Sequence, residues 1–378
     1  MINFRIFLNV CPLSAVRYRN TTTGVHVHGY APIIKFFIFL QRENKIMNIK
    51  TDKVGVIGSG SWATAIAKML LENVSQINWY FRKKDTIELF QELKANPRYL
   101  QSVEFDLNRI HFYNDINDII KDSDILVLAV PSAFLPLILK RAKKFISEKY
   151  ILSGIKGIVS KENLLVVEYL NKNFKVPFEN MGVIAGPCHA EEVALEKLSY
   201  LTVASLDESK ASGFARLIHS NYIYTSISDD IWGTEYTSVM KNIIAIGAGI
   251  AHGLRYGDNF QATLVSNAIQ EIKRFVDTVH PISRDIKDSA YLGDLMVTVY
   301  SQFSRNRLLG TMIGNGYSVK NAFHDMNMVA EGYYASKSIH DINKKHQVPL
   351  PICEAVYRIL YENVSPKNEI RQLSMRLS

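Results

Sequence analysis

The chain has 378 residues, 47% of them hydrophobic and 21% charged, which is the make-up of an ordinary globular protein long enough for two domains and a sizeable core. Its formal charge of +8 does not single out a nucleic-acid partner. Residues 1–46 carry six basic side chains against Glu43 alone, a net +5, leaving +3 for the rest, which a small anionic substrate explains equally well. Three cysteines, Cys11, Cys188 and Cys353, are widely separated and odd in number, so they spell neither a disulfide framework nor a zinc pattern and fit a reducing compartment.

The first apolar run, "YAPIIKFFIFL" (Tyr30 to Leu40), is broken by Lys35 and too short to span a bilayer, and no small-residue cleavage site follows it. Residues 1–46 are therefore expected to be an extension outside the working fold, with Met47 as a natural start. From Lys53 strands and helices alternate. "KVGVIG" is a short apolar run ending in glycine, and "SWATAIAKMLLEN" has helical spacing. "INWYF" (Ile77 to Phe81), "DILVLAVPS" (Asp124 to Ser132), "YILSGIKG" (Tyr150 to Gly157), "MGVIAGP", "LTVAS" and "YIYTSI" from Tyr222 read as further buried strands. After Ser228 strand signals fade and long helical segments begin at Ile231. The expected fold class is α/β: a Rossmann-type doubly wound, mostly parallel sheet over residues 47–228, then an all-α domain over 229–378. The last stretch, "SPKNEIRQLSMRLS", is polar and reads as a loose helix or tail.

"VGVIGSGSWATAIA" places Gly58, Gly60 and Ala63 in the order G-x-G-x-x-A, directly after a strand and opening a helix. Gly58 permits the tight turn, Gly60 lets the backbone approach a pyrophosphate, and Ala63 lets the helix pack close to the strand. The helix N-terminus then faces the phosphates, so the turn is expected to bind a dinucleotide. The second strand runs into "FRKKD", with Arg82, Lys83 and Lys84 where an NAD-selective site would carry an acid. Basic residues there can meet a 2′-phosphate, which favours NADP, while Asp85 keeps NAD open.

Candidate chemistry lies further on. Lys156, in "SGIKGIV", follows a buried strand, where ligand crevices form in such sheets. Lys241 and Asn242 interrupt "VMKNIIAIGAGIA", a helix otherwise made for burial. A lysine on such a face must snorkel, pair or serve a cleft. The expectation is that one helix face lines an interdomain cleft, and that the glycine and alanine run lets the cofactor domain pack close. In "GDLMVT", Asp294 and Thr298 are four apart and share one helical face. "FSRNRLLG" supplies Arg305 and Asn306, suited to a phosphate or carboxylate. In "AGPCHAEEVA", Cys188, His189, Glu191 and Glu192 match no strong metal pattern, and a strand-to-helix turn after Gly186-Pro187 is expected.

Together "GSGSWATAIA", "LAVPS", "GIKG", "AGPCHAEEVA", "MKNIIAIGAGIAHGL", "GDLMVT", "SRNRLLG" and "MNMVAEG" resemble the bacterial NAD(P)-dependent glycerol-3-phosphate dehydrogenase family, over roughly Lys53 to Val364. The resemblance implies reversible reduction of dihydroxyacetone phosphate to sn-glycerol 3-phosphate, the backbone for phospholipid synthesis, with NADPH or NADH and no metal. It gives Lys241 the proton transfer and Lys156 a place touching substrate and cofactor. Gly186, Asn242, Asp294, Thr298, Arg305 and Asn306 would border the substrate, with Ser304 preceding the phosphate pair. Ser61, Trp62, Val329 and Glu331 would join Gly58, Gly60, Arg82, Lys83, Lys156 and Arg305 around the cofactor. It also implies a cytoplasmic homodimer with a small phosphorylated substrate and neither a nucleic-acid nor a membrane partner. The chain departs from the family where Ala63 replaces a frequent glycine, Cys188 a common serine, and at His189. Two rivals remain: a related dehydrogenase acting on a 3-hydroxy acid or ketopantoate-like substrate, and a dinucleotide sensor without turnover.

Overall fold

The computed structural model describes residues 53–142, 144–326 and 329–378, which belong to one compact unit, Met47–Ser378. Residues 1–46 and the expectation about the start site lie outside the described residues.

The sheet is built from β1 (Val54–Ile57), β2 (Ile77–Tyr80), β3 (Ile110–Tyr113), β4 (Ile125–Leu128), β5 (Tyr150–Ser153), β6 (Met181–Ala185), β7 (Ser199–Ser205) and β8 (Ile223–Ser228), in the order β3-β2-β1-β4-β5-β6-β7-β8. Every neighbouring pair is parallel except β6 and β7, which run antiparallel with Val183 opposite Ala204. The central strands are buried on both faces, as their unbroken apolar runs require. β3 was not expected. Its "IHFY" exposes His111 on the sheet's outer edge, so it carries too short an apolar run to stand out. Strand order reverses between β1 and β4, and this switch point opens a crevice at their carboxyl ends.

Helix α1 (Ser61–Leu71) follows β1, and α2 (Lys84–Leu93) follows β2. Between them Trp79, Phe81, Phe90 and Phe105 form a buried ring cluster with the half-buried Phe112 against it, neighbouring centroids lying 5.0 to 5.7 Å apart. Trp79 also donates its indole N–H to the carbonyl of Gly58 at 2.7 Å, so the cluster fixes the glycine turn from below. The alternation continues with α3 (Ile116–Asp122), α4 (Leu135–Leu139), α5 (Val166–Phe174), α6 (Ala190–Ala194) and α7 (Glu208–Ile218).

The helical part begins with α8 (Ile231–Gly253), which is buried almost throughout, and continues through α9 (Asp258–Val279), α10 (Asp294–Tyr300), α11 (Arg305–Gly314), α12 (Val319–Asp325), α13 (Glu331–His346), α14 (Pro351–Tyr361) and α15 (Pro366–Ser374). The glycine run of α8 does not admit the sheet domain, contrary to expectation. It admits α11. A Cβ on Gly249 would stand 2.1 Å from the Arg307 carbonyl oxygen, and one on Gly310 would stand 2.0 Å from that of Ile246. The two backbones touch because glycine occupies both sides of the contact. The C-terminal stretch is also a correction: α15 packs Ile370 and Leu373 into the core and pairs Glu369 with Arg358. Its polarity hid two apolar residues one helical step apart.

Candidate functional site

A cleft of about 440 Å³ opens at the switch point. Gly58, Gly60, Ser61, Trp62, Arg82, Lys83, Lys156, Arg305, Val329 and Glu331 all line it. The glycine turn is shaped for close approach. Gly58 has φ +136, and a Cβ there would lie 2.3 Å from the Ala129 carbonyl oxygen. Gly60 has nothing within 4 Å of where a Cβ would be, leaving open space on the cleft side, and no side chain caps α1. Ala63 is fully buried against the sheet. These features fit a pyrophosphate at the helix N-terminus.

Arg82 and Lys83 are exposed at the rim, whereas Lys84 leans on Glu88 one turn along α2. Arg98 and Tyr99 share the cleft wall and were missed from the sequence. Asn96 places them. Its buried carbonyl accepts from the backbone N–H groups of Arg98 (3.1 Å) and Tyr99 (3.2 Å). Its amide donates to the Ser59 carbonyl (3.1 Å) and the Thr64 hydroxyl (2.8 Å), joining that loop to the glycine turn. On the opposite wall the Glu331 carboxylate accepts from the Ser132 N–H (2.8 Å) and hydroxyl (2.6 Å). Burial pushes the Glu331 carboxyl up, against the two bonds from Ser132.

Lys156, on the cleft wall, leads to the polar residues of the helical part; Gly186, Lys241, Asn242, Asp294, Thr298 and Asn306 lie behind that wall and do not line the cleft themselves. Lys241 is buried and ion-paired with the Asp294 carboxylate. Lys156 stands 3.9 Å from the same carboxylate, with its ammonium 5.1 Å from the centre of the Trp62 ring. The Gly186 N–H donates to Asp294 at 3.4 Å, and Thr298 donates its hydroxyl to the Asp294 carbonyl at 2.6 Å. Asn242 does not simply point into the cleft beside Lys241. Its amide donates to the carbonyls of Lys156 (2.6 Å) and Ser238 (3.2 Å), so it holds the Lys156 loop against α8.

Charge and burial compete here. Burial drives Lys241 down, Asp294 pulls it up, and Lys156 pushes it down again, leaving its pKa lowered to about 7. Burial alone would raise Asp294, but Lys156, Lys241 and the Gly186 N–H hold it below the usual carboxylate range. His189, just before α6, is pushed down to about 4 by burial and then by the two lysines, so its imidazole is neutral at physiological pH. Cys188 is buried and raised to about 11, chiefly by burial, which keeps it a thiol. The turn from β6 into α6 runs through Gly186 and Pro187, as expected. Among the described residues no group of three or more His, Cys, Asp or Glu side chains is arranged to hold a metal.

Arg305 and Asn306 open α11, with the Ser304 hydroxyl capping it by accepting from the Arg307 N–H at 3.3 Å. Arg305 is exposed on the cleft wall. Asn306 is buried, and its carbonyl accepts from the Gly332 N–H at 2.9 Å. Glu235 was also missed. It lies on α8, fully buried, and accepts from Ser153 (3.2 Å) on β5 and the Val167 N–H (3.3 Å) on α5. The available signal was one acid in "GTEYTSVM", inside a helix otherwise fit for burial.

Comparison with known proteins agrees along the chain. The family described as NAD-dependent glycerol-3-phosphate dehydrogenase N-terminus matches residues 53–211, and the corresponding C-terminus matches residues 230–371. A protein of Oceanobacillus iheyensis named glycerol-3-phosphate dehydrogenase [NAD(P)+] is 33% identical, over 86% of this chain and 94% of its own length. One of the same name from Syntrophomonas wolfei is also 33% identical, over 86% of this chain and 95% of its own. The crystal structure of glycerol-3-phosphate dehydrogenase from Coxiella burnetii superposes with a TM-score of 0.79 at 28% identity, covering 85% of this chain and 98% of that one. With both halves of the family matched in order on one Rossmann-type sheet and one helical domain, the chain belongs to the NAD-dependent glycerol-3-phosphate dehydrogenase family.

Proposed function

We propose that the protein catalyses the reversible NAD(P)H-dependent reduction of dihydroxyacetone phosphate to sn-glycerol 3-phosphate. The observation that carries this reading is the buried Lys241–Asp294 pair beside a second ammonium, Lys156, which lines the dinucleotide cleft. Reduced nicotinamide, held along this cleft, would supply the hydride for the ketone carbon. Lys241 stabilises the negative charge developing on the carbonyl oxygen and delivers a proton to it. Its lowered pKa suits that transfer near neutral pH in both directions. Asp294 orients the Lys241 ammonium, and Thr298 supports the turn that carries Asp294. Lys156 adds positive potential beside the oxygen, and Gly186 borders it. Arg305 and Asn306, at the start of a ten-residue helix, anchor the phosphate, so remote binding energy aligns the reacting carbon. Gly58, Gly60, Ser61, Trp62, Val329 and Glu331 hold the dinucleotide, and Arg82 and Lys83 favour NADPH at its 2′-phosphate.

The same reading divides the body into a cofactor domain, 47–228, and a substrate domain, 229–378. It gives the enzyme a homodimeric, cytoplasmic setting without nucleic-acid or membrane partners, supplying glycerol phosphate for phospholipid synthesis. No helix among the described residues is long and apolar enough to cross a membrane.

The test is absorbance of the reduced nicotinamide, with dihydroxyacetone phosphate and with unphosphorylated dihydroxyacetone, using NADPH and NADH in turn. Oxidation that requires the phosphate is expected, and Lys241→Met should lower kcat by about 10²- to 10⁴-fold. Bound dinucleotide without oxidation, or near-normal turnover in Lys241→Met, would overturn the assignment.

A further inference from the structure

Eleven residues before Lys241, at the start of the same helix, lies a second buried ionic cluster that the reaction does not touch. Asp230 caps α8 by accepting from the Gly233 N–H at 2.9 Å. Its other carboxylate oxygen accepts from Arg284 Nε at 2.8 Å and from the Tyr291 hydroxyl at 2.8 Å. Asp230 and Tyr291 are buried, and the Arg284 side chain is only 2% exposed. Arg284 also pairs with Asp277 and donates to the His280 carbonyl at 2.8 Å, so its guanidinium has partners on three sides. Such a cluster is a poor source of stability, because desolvation offsets most of its attraction. Its value lies in what it positions.

Tyr291 belongs to a π-helical turn, Ser289–Gly293, and the next residue is Asp294. Turns of this kind are rare and cluster at functional sites. Segment 289–294 therefore meets α8 twice: through Tyr291 at Asp230, and through Asp294 at Lys241. The two points on α8 are about 16 Å apart along the axis. Tyr291 and Asp294 are one turn apart, so the short segment is fixed to α8 at two separate points. A slip of the segment along the helix would break one contact or the other.

We infer that Asp230, Arg284 and Tyr291 are positioning residues, which lock the π-helical turn to the start of α8 and so hold the Asp294 carboxylate in register with Lys241. The inference rests on the proposed function for its kinetic consequence, not for its geometry. The groups bearing on Lys241 are Asp294 from α10, Lys156 from the loop after β5, and His189 from the loop after β6. Of these, Asp294 alone favours the Lys241 ammonium by direct pairing. Loosening it lowers the proton affinity of Lys241, so the acid form is lost at lower pH.

The experiment uses the full-length protein with Tyr291→Phe, which removes one hydroxyl, and Asp230→Asn, which keeps an acceptor for Gly233 but cannot balance Arg284. In Tyr291→Phe, kcat for ketone reduction is expected to fall by about tenfold. KM should stay within about twofold, and the alkaline limb of the kcat profile should move to lower pH. Unchanged kcat and an unchanged limb, with only a lower Tm, would mean a merely structural cluster and overturn the inference. If Tyr291→Phe does not fold, Asp230→Asn decides by the same criteria. A readout independent of turnover is the pH dependence of Lys241 acetylation by acetic anhydride, followed on its peptide by mass spectrometry. A midpoint displaced to lower pH supports the inference, and an unmoved midpoint sinks it. A wild-type protein without ketone reduction would defeat the proposed function while leaving this second readout to judge the positioning.

Discussion

Glu235 is a carboxylic acid with no water to ionise into. Burial, opposed by bonds from Val167 and Ser153, raises its pKa to about 8. Between its unfolded value near 4.5 and about 8 the folded chain holds a proton that the unfolded chain has released. Stability from this group is therefore complete below about 4.5 and is lost as pH rises through about 8. Glu271, raised to about 7 by burial while accepting from the backbone at Ile352 and Cys353, adds to the same trend. Gln is a neutral substitute that can donate to Ser153 and accept from Val167. Glu235→Gln should therefore gain on the wild type by about 1–3 kcal/mol between pH 5 and 8. Denaturant unfolding at several pH values reads this; parallel pH dependences would show that Glu235 ionises freely in the native state. His189 acts oppositely. Its pKa is lowered to about 4, so it costs stability as pH falls from about 6.5 towards 4.

In the α8–α11 contact the two helix backbones touch. Gly249 and Gly253 on α8 face the Arg307 and Thr311 carbonyls, while Gly310 and Gly314 on α11 face those of Ile246 and Ile250. That approach places the start of α11, with Arg305 and Asn306, beside the half of α8 that carries Lys241. A methyl at Gly310 meets backbone rather than a yielding side chain, so Gly310→Ala should cost about 2–3 kcal/mol. Gly257→Ala serves as the control, since nothing lies within 4 Å of its Cβ position and its φ is −79. Equal thermal unfolding of the two variants would show that the helices part without cost. The small-residue run was legible in the sequence, but its partner was not. Glycines on one helix state only that something comes close, and both α11 and the sheet domain were open to that reading.

Across the molecule, the contacts that tie the Rossmann sheet to the helical part around the site include two hydrogen-bonded ones made over long stretches of chain. Glu331, at the start of α13, takes both donors of Ser132 from the loop after β4, 199 residues earlier in the chain. Asn242 on α8 holds the Lys156 carbonyl from the loop after β5. The dinucleotide cleft runs past the first of these. Removing it should loosen the wall without touching the glycine turn. Glu331→Ala is expected to weaken NADPH binding by about tenfold, the worth of a charge-assisted hydrogen bond. The rise in Tm produced by a fixed NADPH concentration should shrink accordingly. An undiminished rise would show that Glu331 takes no part in holding the cofactor wall.

The sequence alone determined the fold class and brought forward the candidate site residues, because those signals are local. A glycine turn between strand and helix, strand-to-helix alternation up to Ser228 and isolated polar groups in apolar runs are all readable within a dozen residues. Tertiary structure decided which polar groups meet. Asp294 joins Lys241 across 53 residues of chain, Asn242 serves the Lys156 backbone, and Asn96 joins the glycine turn to the Arg98 loop. It also decided that "SPKNEIRQLSMRLS" packs as a helix. Pairing of this kind depends on how distant elements dock, and docking is set by side-chain shape and close packing, which no local spacing encodes.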